Sequence, residues 1–193
     1  EEVIKAMDIC LKLNKNLCLM QCNTNYTAEY ENFNYINLNV LKTFKKLFPN
    51  VILGLSDHTY GHTTVLGAVA LGARVIEKHF TDDTKKEGPD HAFSMDPDTW
   101  KEMILRTREL EMALGHNIKK IEYNELETCV LQRRSLRAVK DIYKGSSVLK
   151  EDFKPLRPCP FDAMPIFSFE TLIGKKIKRN IKSGDYLRND DVS

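Results

Sequence analysis

The chain has 193 residues, of which 42% are hydrophobic and 29% charged, a composition typical of a globular protein. That length allows one or two domains with a substantial core. Apolar runs stay well short of the ~20 residues that a membrane span needs, and no signal peptide is recognisable, so we predict no membrane partner.

Charge is divided unequally along the chain. Residues 1–132 carry 15 basic and 19 acidic side chains, a net charge of −4, whereas residues 133–193 carry 14 basic and 8 acidic, a net charge of +6. A basic segment can bind nucleic acid or a small anion, but no RNA-binding signature accompanies this one, so we predict no nucleic-acid partner. The five cysteines form no CxxC pair, which favours reduced thiols in a cytoplasmic protein.

The first half of the chain alternates helical and strand patterns. The expected elements are a helix at Glu2–Leu13, a strand at Leu17–Cys22, a helix from Leu38 to Phe48, a strand at Val51–Leu55, a helix around Gly67–Leu71 and a strand at Arg74–Phe80. This alternation predicts a parallel sheet. Three strands cannot close a barrel, so either the sheet is open or the chain is a fragment whose remaining barrel lies upstream.

Each of the last two strands ends in a histidine. Ser56 and His58 share a face of one strand, and Glu77 and His79 share a face of the next. Because parallel strands end at the same edge of a sheet, we expect the two imidazoles about 5 Å apart, one strand spacing. A single histidine is more often structural, but a matched pair with carboxylates nearby predicts a site for Mn, Fe or Zn.

Two polar segments flank this unit. Residues 21–27, QCNTNYT, suit hydrogen bonding to a small polar ligand, but they equally suit a capped loop before a helix. Thr81–Met95 is a long polar loop, which predicts a lid with Asp90 and His91 available to a ligand. A purely connecting loop is the alternative.

The rest of the chain divides into a helix, a linker and a small domain. Asp96 is a good N-cap and Gly115 a good stop, so a helix is predicted between them. The expected boundaries are 1–115 for the first domain, 116–132 for a charged linker and 133–193 for a compact β-rich domain. Within the last domain KDIYKGSSVLKEDF and KRNIKSGDYLRNDDV resemble each other, which indicates an internal half-repeat.

Several motifs together resemble the sialic acid synthase family, which includes N-acetylneuraminate synthase and synthases of related nonulosonic acids. They are GLSDHTYG, ALGARVIEKHFT, GPDHAFSMDP and the tail RRSLRAVKDIYKGSSVL, and the resemblance covers essentially the whole chain in order. It implies an α/β fold, a (β/α)₈ or TIM barrel followed by an antifreeze-like (SAF, β-clip) domain. This chain would then be the last three β/α units of an incomplete TIM barrel plus the complete tail domain.

The resemblance also implies the chemistry. Phosphoenolpyruvate, N-acetylmannosamine or a related hexose, and water would condense to N-acetylneuraminic acid or a related acid and phosphate. A divalent metal, most often Mn²⁺, would orient and polarise the sugar aldehyde. By match to the motifs, His58 and His79 would bind the metal. Ser56 would hold the phosphate of phosphoenolpyruvate, and Glu77 would contact a sugar hydroxyl or metal-bound water.

The remaining implied residues would bind the sugar. Thr24, Tyr26 and Asp90 match positions near it, and Arg157 matches an arginine of the tail domain that reaches into the partner's active site in a domain-swapped homodimer. Thr27 stands where the family usually has proline, and Cys159 where it has glycine, so both loops can differ in shape.

Alternatives remain open at this point. The acceptor sugar can lead to pseudaminic, legionaminic or another nonulosonic acid. A carbohydrate- or ice-binding module built on the tail is a different class, but the tail's 14 basic residues argue against a flat ice-binding face. A related synthase without the tail does not explain residues 134–193. The family's early strands supply lysines and an acid that this chain lacks, so we expect the chain alone to be inactive.

Overall fold

The computed structural model describes residues 1–27 and 29–193 and divides them into two compact units. The first unit is Glu1–Asn117 and the second is Ile118–Ser193. Within the described residues, no helix is both long and apolar enough to cross a bilayer.

A three-stranded parallel sheet with the order β1-β2-β3 is the centre of the first unit. Its strands are β1 (Cys18–Cys22), β2 (Ile52–Asp57) and β3 (Ala73–Lys78). The helices are α1 (Glu2–Leu13), α2 (Val40–Leu47), α3 (Thr63–Ala70) and α4 (Pro97–Leu114), with 3₁₀ turns at Tyr30–Tyr35 and His91–Phe93. The predicted parallel β/α alternation is therefore confirmed, although β2 extends beyond Leu55 to Asp57 and β3 ends two residues before Phe80.

Strand β2 lies close to both of its neighbours because the residue at its centre, Gly54, has no side chain. A Cβ added at Gly54 would lie 2.8 Å from both Met20 Cγ and the Val75 carbonyl oxygen. On one face of the sheet Leu53 and Leu55 pack against α2 and α3 in a buried apolar core. The other face is open to solvent, with Ile52 51% and Val75 37% exposed.

Helix α4 begins and ends where the sequence predicts. The Asp96 carboxylate accepts a hydrogen bond from the Thr99 N–H at 2.8 Å, and the Thr99 hydroxyl bonds the Asp96 backbone in return, which forms a capping box. Gly115 ends the helix with a φ of +48°. Met103 of α4 packs against Val65 and Val69 of α3, so the helix is held on the outside of the sheet.

The second unit consists mainly of turns and short bridges. The regular elements are helix α5 (Leu126–Gln132) and an antiparallel pair, β4 (Ser135–Ala138) with β5 (Phe153–Leu156). Of the predicted linker, residues 116–132, the part from residue 118 onwards lies within this unit. Helix α5 is joined to the rest of the unit by a 2.8 Å hydrogen bond from the Cys159 N–H to the Val130 carbonyl.

The two halves of the second unit repeat one structure, as the sequence predicted. Gly145 and Gly184, 39 residues apart, both turn the chain in the left-handed region, with φ of +88° and +87°. The same spacing relates three pairs of buried side chains, Ile142 and Ile181, Val148 and Leu187, and Asp152 and Asp191. Ile142 and Ile181 also exchange backbone hydrogen bonds at 2.8 Å, so the two halves meet at equivalent residues.

The repeat places two ion pairs at equivalent positions, so their effects on stability can be compared. Arg179 binds Asp191 with two hydrogen bonds, 2.5 and 2.8 Å long, whereas at the equivalent place the 60% exposed Lys140 makes one 2.6 Å contact with Asp152. We expect Arg179→Met to lower the free energy of unfolding by about 1.5–3 kcal/mol, since Asp191 loses two charge-assisted hydrogen bonds from a cation that is only 36% exposed. Lys140→Met should lower it by about 0–1 kcal/mol. Urea unfolding of both variants measures the difference, and equal losses would contradict it.

Candidate functional site

Ser56 and Glu77 face each other across the ends of β2 and β3. They are paired in the sheet register, and the Ser56 hydroxyl donates to Glu77 Oε1 at 2.6 Å. Ser56 is half-buried and Glu77 is exposed. The hydrogen bond therefore holds a carboxylate at the strand ends, where it remains accessible from solvent.

His58 and His79 lie just beyond these strand ends. Their ring centroids are 5.1 Å apart with an interplanar angle of 55°. This is the adjacency that matched positions on neighbouring parallel strands predict. His58 is buried, with 4% of its surface exposed, whereas the His79 side chain is 29% exposed. One ring is thus fixed in the protein and the other borders solvent.

The neighbours of the two rings indicate which nitrogen each presents. His58 Nδ1 lies 2.8 Å from the Asn23 carbonyl oxygen. Because a carbonyl can only accept, Nδ1 carries the proton and Nε2 keeps a free lone pair. His79 Nδ1 lies 3.6 Å from Asp90 Oδ2, which is too far for a hydrogen bond but leaves a carboxylate beside the ring. Histidines that bind metals commonly direct their second nitrogen to a carbonyl or carboxylate in this way.

Two aromatic rings border the imidazoles. The Tyr26 ring centroid is 4.3 Å from that of His58 and 5.7 Å from that of His79. Phe93, only 1% exposed, lies 5.0 Å from His79 and 6.2 Å from His58. Tyr26 is 54% exposed, so its ring is accessible from solvent, whereas the Phe93 ring is buried. The sequence analysis missed Phe93, because an aromatic residue in a polar loop carries no periodic signal.

The loop after β3 is anchored at both of its ends. The Met95 N–H donates to the His79 carbonyl, and the Thr81 N–H donates to the Met95 carbonyl, each at 2.9 Å. Within the loop Thr81 Oγ1 and His91 Nδ1 are 2.8 Å apart. These contacts fix the base of the predicted lid and set Asp90 beside His79.

A buried ion pair occupies the opposite face of the same strand ends. Lys78 Nζ donates to Asp57 Oδ2 at 2.6 Å, and the two side chains are 1% and 0% exposed. Burial lowers the pKa of the Lys78 ammonium, and the Asp57 carboxylate opposes that effect. The sequence analysis did not identify this pair. The signal was present, because Asp57 and Lys78 alternate with the site residues on both strands.

Two predicted residues are placed apart from this cluster. Thr24 is exposed in the loop after β1, next to the Asn23 carbonyl that binds His58. Arg157 belongs to the second unit, where it is exposed and its Nε donates to the Gln132 carbonyl at 2.8 Å. The first unit therefore brings together six of the predicted residues, namely Tyr26, Ser56, His58, Glu77, His79 and Asp90.

The two imidazoles are fewer protein ligands than a closed metal site has. Across residues 1–27 and 29–193, no group of three or more His, Cys, Asp or Glu side chains is arranged to hold a metal ion. Two imidazole Nε2 atoms would supply two ligands and leave the other positions to water or substrate. Open positions of this kind distinguish catalytic from structural metal sites.

Comparisons with known proteins agree on one family. The NeuB family profile matches residues 1–119, and the SAF domain profile matches residues 133–193. Pseudaminic acid synthase from Campylobacter jejuni is 40% identical over 99% of this chain and 54% of its own length. N-acetylneuraminate-9-phosphate synthase from Homo sapiens is 31% identical over 97% of this chain and 51% of its own. The chain thus spans about half the length of the curated relatives that it matches.

Solved structures are similar to this chain as well. A spore coat polysaccharide biosynthesis protein E from Chromobacterium violaceum superposes with a TM-score of 0.72 over 99% of this chain and 56% of that one, at 20% identity, which shows the shared fold. An N-acetylneuraminic acid synthetase from Leptospira borgpetersenii has a TM-score of 0.55 and 29% identity over 65% of this chain and 43% of that one.

The tautomer of His58 can be measured directly. Since its Nδ1 faces a carbonyl, we expect the neutral ring to be protonated at Nδ1. Histidine-labelled protein at pH 8.5 would report this in long-range ¹⁵N–¹H NMR correlations, with His58→Gln assigning the signal. A ring protonated at Nε2 would contradict the arrangement.

Proposed function

The chain belongs to the NeuB family of sialic acid synthases, and on that premise we propose that it carries part of the active site of a nonulosonic acid synthase. The reaction is the condensation of phosphoenolpyruvate with an N-acetylated hexose such as N-acetylmannosamine. The observation that carries the proposal is a pair of imidazoles with ring centroids 5.1 Å apart, beside a serine and two carboxylates, in which the Asn23 carbonyl holds Nδ1 of His58 and leaves its Nε2 available.

The proposed reaction combines phosphoenolpyruvate, the sugar and water, and it releases inorganic phosphate. C3 of phosphoenolpyruvate forms a bond to the aldehyde carbon of the open-chain sugar, whose oxygen takes up a proton and becomes a hydroxyl. A water oxygen bonds to C2, and the bond between C2 and the phosphate oxygen breaks with its electron pair leaving on phosphate. The water oxygen becomes the C2 carbonyl by losing both protons, one of which balances the proton taken up by the sugar oxygen and the other the proton taken up by the released phosphate. The products are a nine-carbon 2-keto sugar acid and inorganic phosphate, so atoms and electrons balance.

Each residue has a role that its contacts support. Ser56 is half-buried at the strand end, and its single hydroxyl proton, which Glu77 accepts at 2.6 Å, would be donated to a phosphate oxygen of phosphoenolpyruvate when that substrate binds. Glu77 would then accept a hydrogen bond from a sugar hydroxyl in place of the one from Ser56. Asp90 does the same from the loop, while the exposed Tyr26 ring packs against the apolar side of the sugar. Sugar-binding sites commonly combine such carboxylates with an aromatic wall.

The site has ligands for a divalent cation, which we propose to be Mn²⁺ held by His58 and His79. Such an ion would supply Lewis-acid polarisation of a substrate oxygen. The Asn23 carbonyl binds Nδ1 of His58 and so leaves its Nε2 for the metal. We propose that the Asp90 carboxylate, 3.6 Å from Nδ1 of His79, plays the same part for the second ring.

The exposed face of the sheet supports a proposal about the fold of the whole protein. Parallel sheets are normally covered on both faces, yet Ile52 and Val75 are 51% and 37% exposed here. We propose that further strands of a (β/α)₈ barrel cover this face and that residues 1–115 are its last three β/α units. Those strands would also supply the cationic groups that grip phosphoenolpyruvate.

Arg157 would complete the site from a second copy in a domain-swapped homodimer. It is exposed, and Nε is one of five N–H donors on a guanidinium that suits carboxylate and phosphate groups. Arg157 belongs to the second unit of the chain, and we propose that it acts on the site of the other copy rather than on the site of its own chain.

The acceptor is proposed only as a class, an N-acetylated hexose. A few pocket contacts worth about 1–3 kcal/mol each distinguish such sugars. Relatives at 40% and 35% identity are named for pseudaminic and for N,N'-diacetyllegionaminic acid, so overall identity does not separate the two products.

Binding of Mn²⁺ tests the metal site without turnover. We expect His58→Ala and His79→Ala each to weaken Mn²⁺ binding at least about tenfold, because each removes one of two protein ligands. Electron paramagnetic resonance of free Mn²⁺ during a titration of the chain measures this. His116→Ala, at an exposed histidine far along the chain, should bind as the unaltered chain does. Unchanged affinity in either site variant would refute the assignment.

A chimaera tests the reaction. This chain would replace the matching part of the C. jejuni pseudaminic acid synthase, and a panel of N-acetylated hexoses would be offered with phosphoenolpyruvate. We expect one phosphate released for each nonulosonic acid detected by mass spectrometry, and no product after His58→Ala. The 193-residue chain alone should form none. A folded chimaera that consumes no phosphoenolpyruvate with any acceptor would contradict the proposal, as would product from the chain alone.

A further inference from the structure

We propose that Lys78 is a positioning residue that fixes both histidines of the site, acting with Asp57 from the face of the sheet opposite to the imidazoles. The inference rests on the proposed metal site for its consequence, but its geometry can be tested separately. Lys78 contacts neither imidazole in the described structure; its effect runs through the backbone on either side of them.

The Lys78 ammonium binds the residues on either side of His58. Lys78 Nζ donates to Asp57 Oδ2 and to the Thr59 carbonyl, each at 2.6 Å. Asp57 and Thr59 are the residues directly before and after His58. Lys78 itself is the residue directly before His79. One side chain therefore ties the chain on both sides of the first histidine to the strand end that carries the second.

The same contacts specify how the two strands are aligned. Asp57 pairs with Lys78 and Ser56 pairs with Glu77 in the parallel register. Since side chains alternate between faces, a shift of one residue would bring Lys78 to the site face and remove Glu77 from it. Such a shift would leave a buried carboxylate without its cation. The ion pair thus opposes any alignment in which the two imidazoles do not meet.

The carboxylate is held rigidly by groups outside the strands. Asp57 Oδ1 accepts from the Thr59 N–H at 3.1 Å and from the Thr59 hydroxyl at 2.9 Å. Asp57 Oδ2 accepts from the hydroxyl of Thr64, in the first turn of α3, at 2.5 Å. The pair is therefore anchored to a helix as well as to two strands, which limits how far either histidine can move.

Stability alone does not account for an ion pair in this place. The side chains are 1% and 0% exposed, and well-packed apolar residues at such positions are often as stable as a buried ion pair. What an apolar pair lacks is direction, because it cannot hold the Thr59 carbonyl and the Asp57 side chain at fixed distances. This difference separates a positioning role from a packing role.

The test compares a single with a double variant of the full chain. Lys78→Met leaves Asp57 buried without its cation, whereas Asp57→Leu with Lys78→Met replaces the pair by apolar residues. We expect the double variant to regain most of the melting temperature lost in the single one. Its Mn²⁺ affinity should nevertheless stay at least about tenfold weaker, and the His58 Nδ1–H signal in ¹⁵N NMR should move or broaden.

Controls separate positioning from stability. Met103→Ala, in the core between α3 and α4, should lower the melting temperature and leave the His58 signal unchanged. Thr64→Val, which removes one bond to Asp57, should shift the His58 signal, whereas Thr63→Val at the exposed neighbouring position should not. These two variants keep the test decisive if the double variant fails to fold.

Two outcomes distinguish this inference from the proposed function. A double variant with the unaltered His58 signal and Mn²⁺ affinity would overturn the positioning role, even if the metal site is real. A His58 signal that moves in the double and Thr64→Val variants, in a chain that binds no Mn²⁺, would support the positioning role and overturn the metal site.

Discussion

The register between β2 and β3 is the constraint on which the rest of the site depends. Two strands with a side-chain period of two can place Ser56 against Glu77 and one imidazole beside the other in only one alignment. In that alignment the intervening residues, Asp57 and Lys78, meet on the buried face. The same strand pairing therefore sets both the buried face and the polar site, so a change of register would alter both.

Charge on the two faces follows from this division. The buried cation is matched by its carboxylate, so it contributes little net charge to the strand ends. The accessible side carries Glu77 and Asp90, an arrangement that suits sugar hydroxyls and a divalent cation better than an anion. Phosphoenolpyruvate bears a phosphate and a carboxylate, and its charge calls for cationic partners beyond this cluster. Under the proposed function, the described residues would be one part of a larger site, with Ser56 as their only contact to the phosphate.

Much of this architecture could be predicted from residue order, and the exceptions have physical causes. Strand alternation was sufficient to predict the parallel sheet and the adjacent histidines, and Asp96 with Gly115 set the ends of α4. The ion pair was not predicted although Asp57 and Lys78 are spaced in the chain as the two histidines are. Charged side chains are seldom fully buried, so the alternation did not indicate a pair on the buried face. Helix α5 escaped because a seven-residue segment is too short to show a clear helical periodicity, and its helix depends on contacts such as the hydrogen bond from the Cys159 N–H.

The half-repeat of the second unit has a consequence for how such a domain can arise. Two segments that turn at equivalent glycines and exchange backbone bonds at Ile142 and Ile181 are related as the subunits of a symmetric dimer are. Gene duplication and fusion of a peptide of about 40 residues would produce this pattern, since each half alone has too little surface to bury for a stable fold. Divergence after fusion would then explain why one half keeps a two-bond arginine pair and the other a single lysine contact.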